Sequence, residues 1–146
     1  MIMFMNDNSG LSSIVDIIER LAFRIERQSD QILLEQLGIG FSQYKIIHVL
    51  EANPQFKQKQ IAKILGQTEA SISRQIRLMR LSGLIVSVIN PEHKREHITN
   101  LTIKGIKLRD AANNILAKLH TNIIGEMKDK KQRRIEETLM SLYVKI

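Results

Sequence analysis

The chain contains no cysteine. That excludes a disulfide scaffold, thiolate zinc sites, iron–sulfur clusters and cysteine-based redox sensing, and it is compatible with a reducing cytoplasm. Tryptophan is also absent. The aromatic side chains are two tyrosines and four phenylalanines in 146 residues, so aliphatic residues must fill the core. RNA modules that stack bases on aromatic platforms are poorly served by such a set. Two prolines and seven glycines, beside 43% hydrophobic residues, argue against disorder and for a mainly α, globular, single-domain chain. No stretch approaches the ~20 apolar residues of a membrane span. The opening MIMFMNDNSG has no positive region and too short an apolar run for a signal peptide. Residues 1–10 are therefore expected to be a flexible arm, and the chain to be cytoplasmic with no membrane partner.

The marks of an enzyme are missing too. There is no nucleophile elbow, no phosphate-binding glycine loop, no HExxH and no acid pair in a recognisable frame, so neither catalysis nor a cofactor is expected. His48, His93, His97 and His120 show no metal-ligand spacing. His93 and His97 are four apart, but on a hairpin instead of a helix, and no metal site is expected.

Negative charge is scarce in one region. Residues 1–54 hold 4 Lys/Arg and 7 Asp/Glu, residues 55–109 hold 11 and 3, and residues 110–146 hold 7 and 5. The middle segment alone is thus net +8, more than the formal +7 of the whole chain, an electrostatic footprint for a polyanion. A membrane surface would also attract it, but the segment lacks the large apolar face with Trp or Phe of an interfacial helix.

That same segment carries QKQIAKILGQTEASISRQIR, Gln58 to Arg77. Ala62 is small where two helices cross closely. Gly66 suits a left-handed bend, and Ile72 and Ile76 lie four apart on the buried side of a second helix. This is helix-turn-helix spacing. The alternative is an ordinary αα-corner, which matches the local stretch but does not predict a hairpin after it. Lys57–Leu65 forms the first helix, and Thr68 caps a second that runs to about Ser82 and ends at Gly83. Leu84–Ile89 reads as a strand, Asn90–Glu96 as a charged turn and His97–Leu101 as the returning strand. A basic-tipped hairpin directly after a recognition helix is a wing. The second helix is expected in the major groove, with Ser71, Ser73, Arg74 and Arg77 reading it. Thr68 is placed at a phosphate, Lys59 and Gln60 on the backbone, and Lys94 and Arg95 in the minor groove. Lys63 and Arg80 read as solvated charges.

Long amphipathic helices flank this lobe. One runs from Leu11 to Gln36, with Ile14, Ile17, Ile18, Leu21, Ile25, Ile32 and Leu33 on its stripe. A short helix comes next, Gln43–Glu51, for which Ser42 is the expected N-cap. Thr102 caps a third long helix bearing Ile106, Ala111, Ile115, Leu119 and Ile123. After a weak break at Gly125–Lys130, Lys131–Val144 closes the chain. Residues 42–101 form the winged helix-turn-helix lobe, and 11–37 and 103–146 are expected to be dimerisation helices. A homodimer would set two recognition helices about one DNA turn (~34 Å) apart on double-stranded DNA. A monomeric six-helix bundle is the alternative.

The order of elements resembles the MarR family of transcriptional regulators, over roughly residues 11–146. NPEHKREHITNLTIKG is similar to that family's Asp-Pro-x-Asp-x-Arg, then Leu-Thr-x-x-Gly, through Pro91, Arg95, Leu101, Thr102 and Gly105. Gly83-Leu84-Ile85 and Ile61-Ala62 match as well. Asn90 stands where Asp is usual. His93 replaces the Asp that orients the wing arginine, which leaves Arg95 without its usual partner unless Glu92 or Glu96 substitutes. The arginine usual after Gly-Leu-Ile is missing, with Val86-Ser87-Val88 in its place. The resemblance implies a repressor released by a small-molecule effector, in a pocket for which Arg24, Tyr44, His48 and Arg109 are the candidates. A winged helix used for protein or RNA contacts is the competing function.

Overall fold

A computed structural model describes residues 10–146, with side chains from residue 13. The arm expected over 1–10 lies, short of Gly10, outside the described residues. The order is α1 (Gly10–Leu37), α2 (Phe41–Ala52), α3 (Gln58–Leu65), α4 (Glu69–Leu81), β1 (Ile85–Ile89), β2 (His97–Leu101), α5 (Ile103–Ile124) and α6 (Asp129–Tyr143). The chain falls into two compact units, up to Ile115 and from Leu116 to Ile146. The fold is mainly α, a winged helix-turn-helix with long terminal helices, as the sequence predicts. No helix among the described residues is long and apolar enough to cross a membrane.

The core of the first unit is aliphatic. Leu33, Ile46, Ile47, Leu50, Ile61, Ala62, Ile72, Ile76, Met79, Leu84 and Ile85 are buried, and they come from α1, α2, α3, α4 and the start of the wing. Ala62, Ile72 and Ile76 sit where the helix-turn-helix spacing requires. Gly66 ends α3 at φ +63°, a left-handed turn that a side chain would strain. Thr68 Oγ1 accepts the Ser71 amide at 3.1 Å and caps α4, as expected. At the other end the Gly83 amide donates to Arg80 O (3.1 Å) and the Leu84 amide to Met79 O (2.9 Å). This paired closure satisfies two otherwise orphaned carbonyls and turns the chain sharply into the wing.

One capping expectation is corrected. Ser42 does not cap α2, because the helix begins a residue earlier, at Phe41, with Gly40 in the cap position and no side chain of its own there. The cap comes from α1, where Asp30 Oδ1 accepts the Phe41 amide at 2.9 Å. A carboxylate is well suited to the positive end of a helix. Other boundaries shift by a residue or two, and α6 starts at Asp129 instead of Lys131.

The apolar stripes of the long helices are only partly covered. On α1, Leu33 is buried, whereas Ile14, Ile17, Ile18 and Leu21 are exposed. On α6, Ile135, Leu139 and Leu142 are all exposed, and no residue of that helix is buried.

Candidate nucleic-acid interface

α4 sorts its side chains by angle. At about 100° per residue, Ile72, Ile76 and Met79 share the buried side, and Ser73, Arg74 and Arg77 fall opposite. All three of the latter are exposed. Neither arginine makes an ion pair among the described residues. Ser71 lies about a quarter-turn away from that outward group. It is half-buried, with its hydroxyl 3.4 Å from Gln67 Oε1, so the structure does not bring it onto the face of Ser73, Arg74 and Arg77. Thr68, Lys59 and Gln60 are exposed at the starts of α4 and α3. Gln60 Oε1 accepts the Lys57 amide at 2.8 Å, which leaves its amide NH₂ available.

The wing is a two-stranded antiparallel ribbon with Ile85 opposite Leu101 and Ile89 opposite His97. Its tip is held by Asn90, whose amide donates to Glu96 O (2.8 Å) and whose side-chain oxygen accepts the Glu92 amide (3.0 Å). The Glu96 amide donates to His93 O at 2.8 Å. Neither Glu92 nor Glu96 pairs with Arg95, so Lys94 and Arg95 stand exposed with no ion pair among the described residues. The ribbon is tied to the lobe by the Thr99 amide, 2.8 Å from Pro54 O.

At its root the ribbon meets α5 through a tight joint. The Thr102 amide donates to Leu84 O (3.0 Å), its hydroxyl donates to Gly83 O, and the Gly105 amide donates to Thr102 Oγ1 at 3.1 Å. Thr102 therefore caps α5, as expected, while also gripping the chain that leaves α4. Gly105 is buried, and a methyl group built on it would fall far inside contact of Leu84 O and 3.1 Å from that residue's carbonyl carbon. The Gly-Leu-Ile and Leu-Thr-x-x-Gly segments are thus the two halves of one joint.

Residues 37–96 match the model of the MarR family. The matched stretch holds α2, the two helices of the helix-turn-helix and β1, and it stops short of β2. The chain is 30% identical over 76 residues to the HTH-type transcriptional regulator PetP of Rhodobacter capsulatus, covering 52% of this chain and 46% of PetP. It thus spans less than half the length of that relative. Among solved structures it is similar to a MarR/EmrR family transcriptional regulator from Acinetobacter sp. ADP1, with TM-score 0.76 and 24% identity over 92% of this chain and 94% of the other. It is similar also to the Staphylococcus aureus MepR–DNA complex, with TM-score 0.71 and 21% identity over 88% and 93%. At these identities the structures establish the fold alone.

Of the four residues expected at a MarR-type effector pocket, Tyr44 and His48 come together. Tyr44 donates to Asn113 Oδ1 at 2.7 Å, and His48 Nε2 lies 3.3 Å from the same oxygen, with the two rings edge to face at 4.5 Å. Burial, and then the charge of Glu51, push the Tyr44 hydroxyl above its ordinary pKa. Arg109, one turn along α5, pairs with Glu51 and Asp110 instead, and hydrogen bonds to Asp110 and then Glu51 raise its pKa further. It borders a cavity of about 340 Å³ with Leu50, Pro54, Thr99 and Ile106. Arg24 stands exposed on α1. A larger groove, about 650 Å³, lies between α1 and α2 and is lined by Phe23, Asp30, Leu34, Phe41, Ser42 and Lys45 among others. Sequence reasoning missed Asn113, Asp30 and the groove. The spacing of Tyr44, His48 and Glu51 at i, i+4 and i+7, facing Arg109 and Asn113 at i and i+4, is the one signal that could have found the α2–α5 seam.

Proposed function

We propose that this chain is a MarR-family regulator that binds double-stranded DNA sequence-specifically and regulates transcription, as a homodimeric repressor on an inverted-repeat site. The observation that carries this reading is the outward side of α4. Ser73, Arg74 and Arg77 are exposed together, and both guanidiniums are free to fork onto guanine O6 and N7. Thr68, Lys59 and Gln60 are assigned to phosphates beside that helix, and Ser71 to its margin. Lys94 and Arg95 extend the same basic surface along the wing and are assigned to the minor groove. The likeness to a fold seen bound to DNA in MepR supports the same partner.

The dimer is supported by what is left uncovered. α6 buries none of its residues, and the first half of α1 exposes Ile14, Ile17, Ile18 and Leu21. Apolar faces of this extent mark contact surfaces, and a second copy of the chain would cover them symmetrically. A small-molecule effector is supported by the α1–α2 groove, whose volume of about 650 Å³ falls within the usual range for such sites. Such a ligand would release DNA only by favouring one dimer arrangement over the other.

Selection of bound duplexes from a random pool tests the reading. An enriched inverted repeat is expected, with log affinity falling against log salt at a slope of about −5 for six phosphate contacts. A flat salt response, or recovery of unenriched sequence, rejects it.

A further inference from the structure

Apolar packing holds α4 by Ile72, Ile76 and Met79, but such contacts are non-directional and leave a helix able to roll by a few degrees about its axis. Rolling would swing Ser73, Arg74 and Arg77 across the groove they face. Directional contacts stop it, and the structure supplies them on the flank of α4 that faces α2. Gln67, in the turn between α3 and α4, brackets the Ser42 hydroxyl. Its Nε2 donates to Ser42 Oγ at 3.0 Å and its Oε1 accepts from Ser42 at 3.1 Å. The same Oε1 is 3.4 Å from the Ser71 hydroxyl. One turn further along α4, Gln75 Oε1 accepts from Gln43 Nε2 at 3.0 Å. Ser42 and Gln43 are neighbours in the first turn of α2, and Ser71 and Gln75 are four apart on one flank of α4. Two consecutive residues of α2 therefore hold α4 at two levels, Ser42 through Gln67 in the turn that leads into it and Gln43 through Gln75 in the helix itself.

We propose that Gln67 is a positioning residue: with Ser42, and beside the Gln43–Gln75 pair, it fixes the angular setting of the recognition helix and so helps determine which DNA sequence is read, without itself touching a base. The proposal rests on the DNA reading above. Ser42 sits in α2, 25 residues before Gln67 in sequence, and none of the residues assigned to DNA lies in that helix. Its removal therefore reports on the latch and on nothing at the DNA surface. That also explains why the turn carries Gln, which can donate and accept at once.

The test is a double-mutant cycle on the full chain, with Ser42→Ala, Gln67→Leu and the pair. Affinity is measured for the selected duplex and for random duplex, and amide exchange is followed over 70–75. Losing hydrogen bonds of ordinary net strength predicts a loss of about two- to tenfold in affinity for the selected duplex in either single variant. The double variant should be no weaker than Gln67→Leu, because both act through one contact. Affinity for random duplex and the salt slope should not change, and exchange protection over 70–75 should fall in Ser42→Ala. Additive losses, a changed salt slope in Gln67→Leu, or unchanged affinity in Ser42→Ala would overturn the proposal by making Gln67 a direct DNA contact or an idle one. If the parent chain selects no duplex, the DNA reading itself has failed. The latch is then judged on exchange alone, and unchanged protection in Ser42→Ala rejects it.

Discussion

Replacing Gly105 by alanine separates two opposing effects whose signs differ. In the first turn of a helix, alanine is intrinsically better than glycine by up to ~1 kcal/mol, so an unobstructed site would gain stability. Gly105 is not unobstructed. Its α-carbon faces the Leu84 carbonyl so closely that a methyl group would lie 3.1 Å from the carbonyl carbon and nearer still to the oxygen. Ordinary carbon contacts sit at about 3.5–4.0 Å, so α5 and the Leu84 strand entry must part by roughly an ångström. Overpacking of this kind costs about 1–3 kcal/mol. Parting the two also stretches the Thr102 amide bond to Leu84 O and the Gly105 amide bond to Thr102 Oγ1, and loss of a cap adds about 1 kcal/mol. After the propensity gain is set against these, Gly105→Ala should destabilise by about 1–3 kcal/mol. For a domain of this size that lowers Tm by roughly 3–10 °C. Urea unfolding followed by circular dichroism at 222 nm measures the difference. Stability equal to or above the parent would mean that the joint between wing and α5 is slack, and that Leu-Thr-x-x-Gly does not lock it.

Arg74→Ala should cost about 1–3 kcal/mol on the selected duplex and relax sequence preference, whereas Lys94→Ala should weaken binding to every duplex and flatten the salt slope by about 1. Competition binding with selected and random duplex distinguishes them, and the reverse pattern would exchange the two roles. Asp30→Ala should lower stability by about 1 kcal/mol through loss of the α2 cap, with Asp30→Asn recovering part of it because the amide oxygen still accepts from Phe41. Equal stability of all three chains in urea would show the cap to be idle. The Tyr44 pKa is raised from 10.0 in the folded chain, by burial first and the charge of Glu51 second. Between pH 10 and that raised value the unfolded chain has lost a proton that the folded chain keeps, so stability falls as pH climbs through this window and is unaffected below it. Tyr44→Phe should remove that part of the alkaline loss, and identical pH profiles for the two chains would discount Tyr44 as its source.

Short-range features are legible in the sequence and long-range side-chain partnerships are not. The crossing at Ala62, the bend at Gly66 and the buried pair Ile72 and Ile76 follow from spacing within one motif. Thr68 and Thr102 bond within three residues, so a cap can be read directly. Ser42 looks equally capable, but its helix has a better acceptor in Asp30, eleven residues before Phe41 and on another helix. Freed from capping, the Ser42 hydroxyl goes to Gln67 instead. Tyr44 and His48 stand out as polar groups on an α2 face, but their common partner Asn113 is 65 or more residues away, and only the folded chain brings it there. The apolar stripes of α1 and α6 can be read as stripes from their period. What covers them cannot, because periodicity marks a sticky side without naming its partner, and in the fold Ile14, Leu21, Ile135 and Leu139 stay exposed.

The wing shows how a departure from a family pattern can alter one property and spare another. An aspartate at position 90 would supply a side-chain oxygen to the turn, and Asn90 does so with its amide, accepting the Glu92 amide at 3.0 Å. The shape of the tip therefore survives the change, because an Asx-type turn needs an acceptor and not a charge. The change at 93 is different in kind. A histidine there does not hold Arg95, and neither Glu92 nor Glu96 takes over. An arginine oriented by a carboxylate enters a groove pre-aligned, but with part of its charge already neutralised. On the proposed reading Arg95 would enter unaligned, giving up more side-chain entropy on binding but with no ion pair to break. On the proposed DNA reading, the wing would then contribute to affinity through charge more than through direction, and sequence preference would fall to α4 and the latch proposed to set its angle.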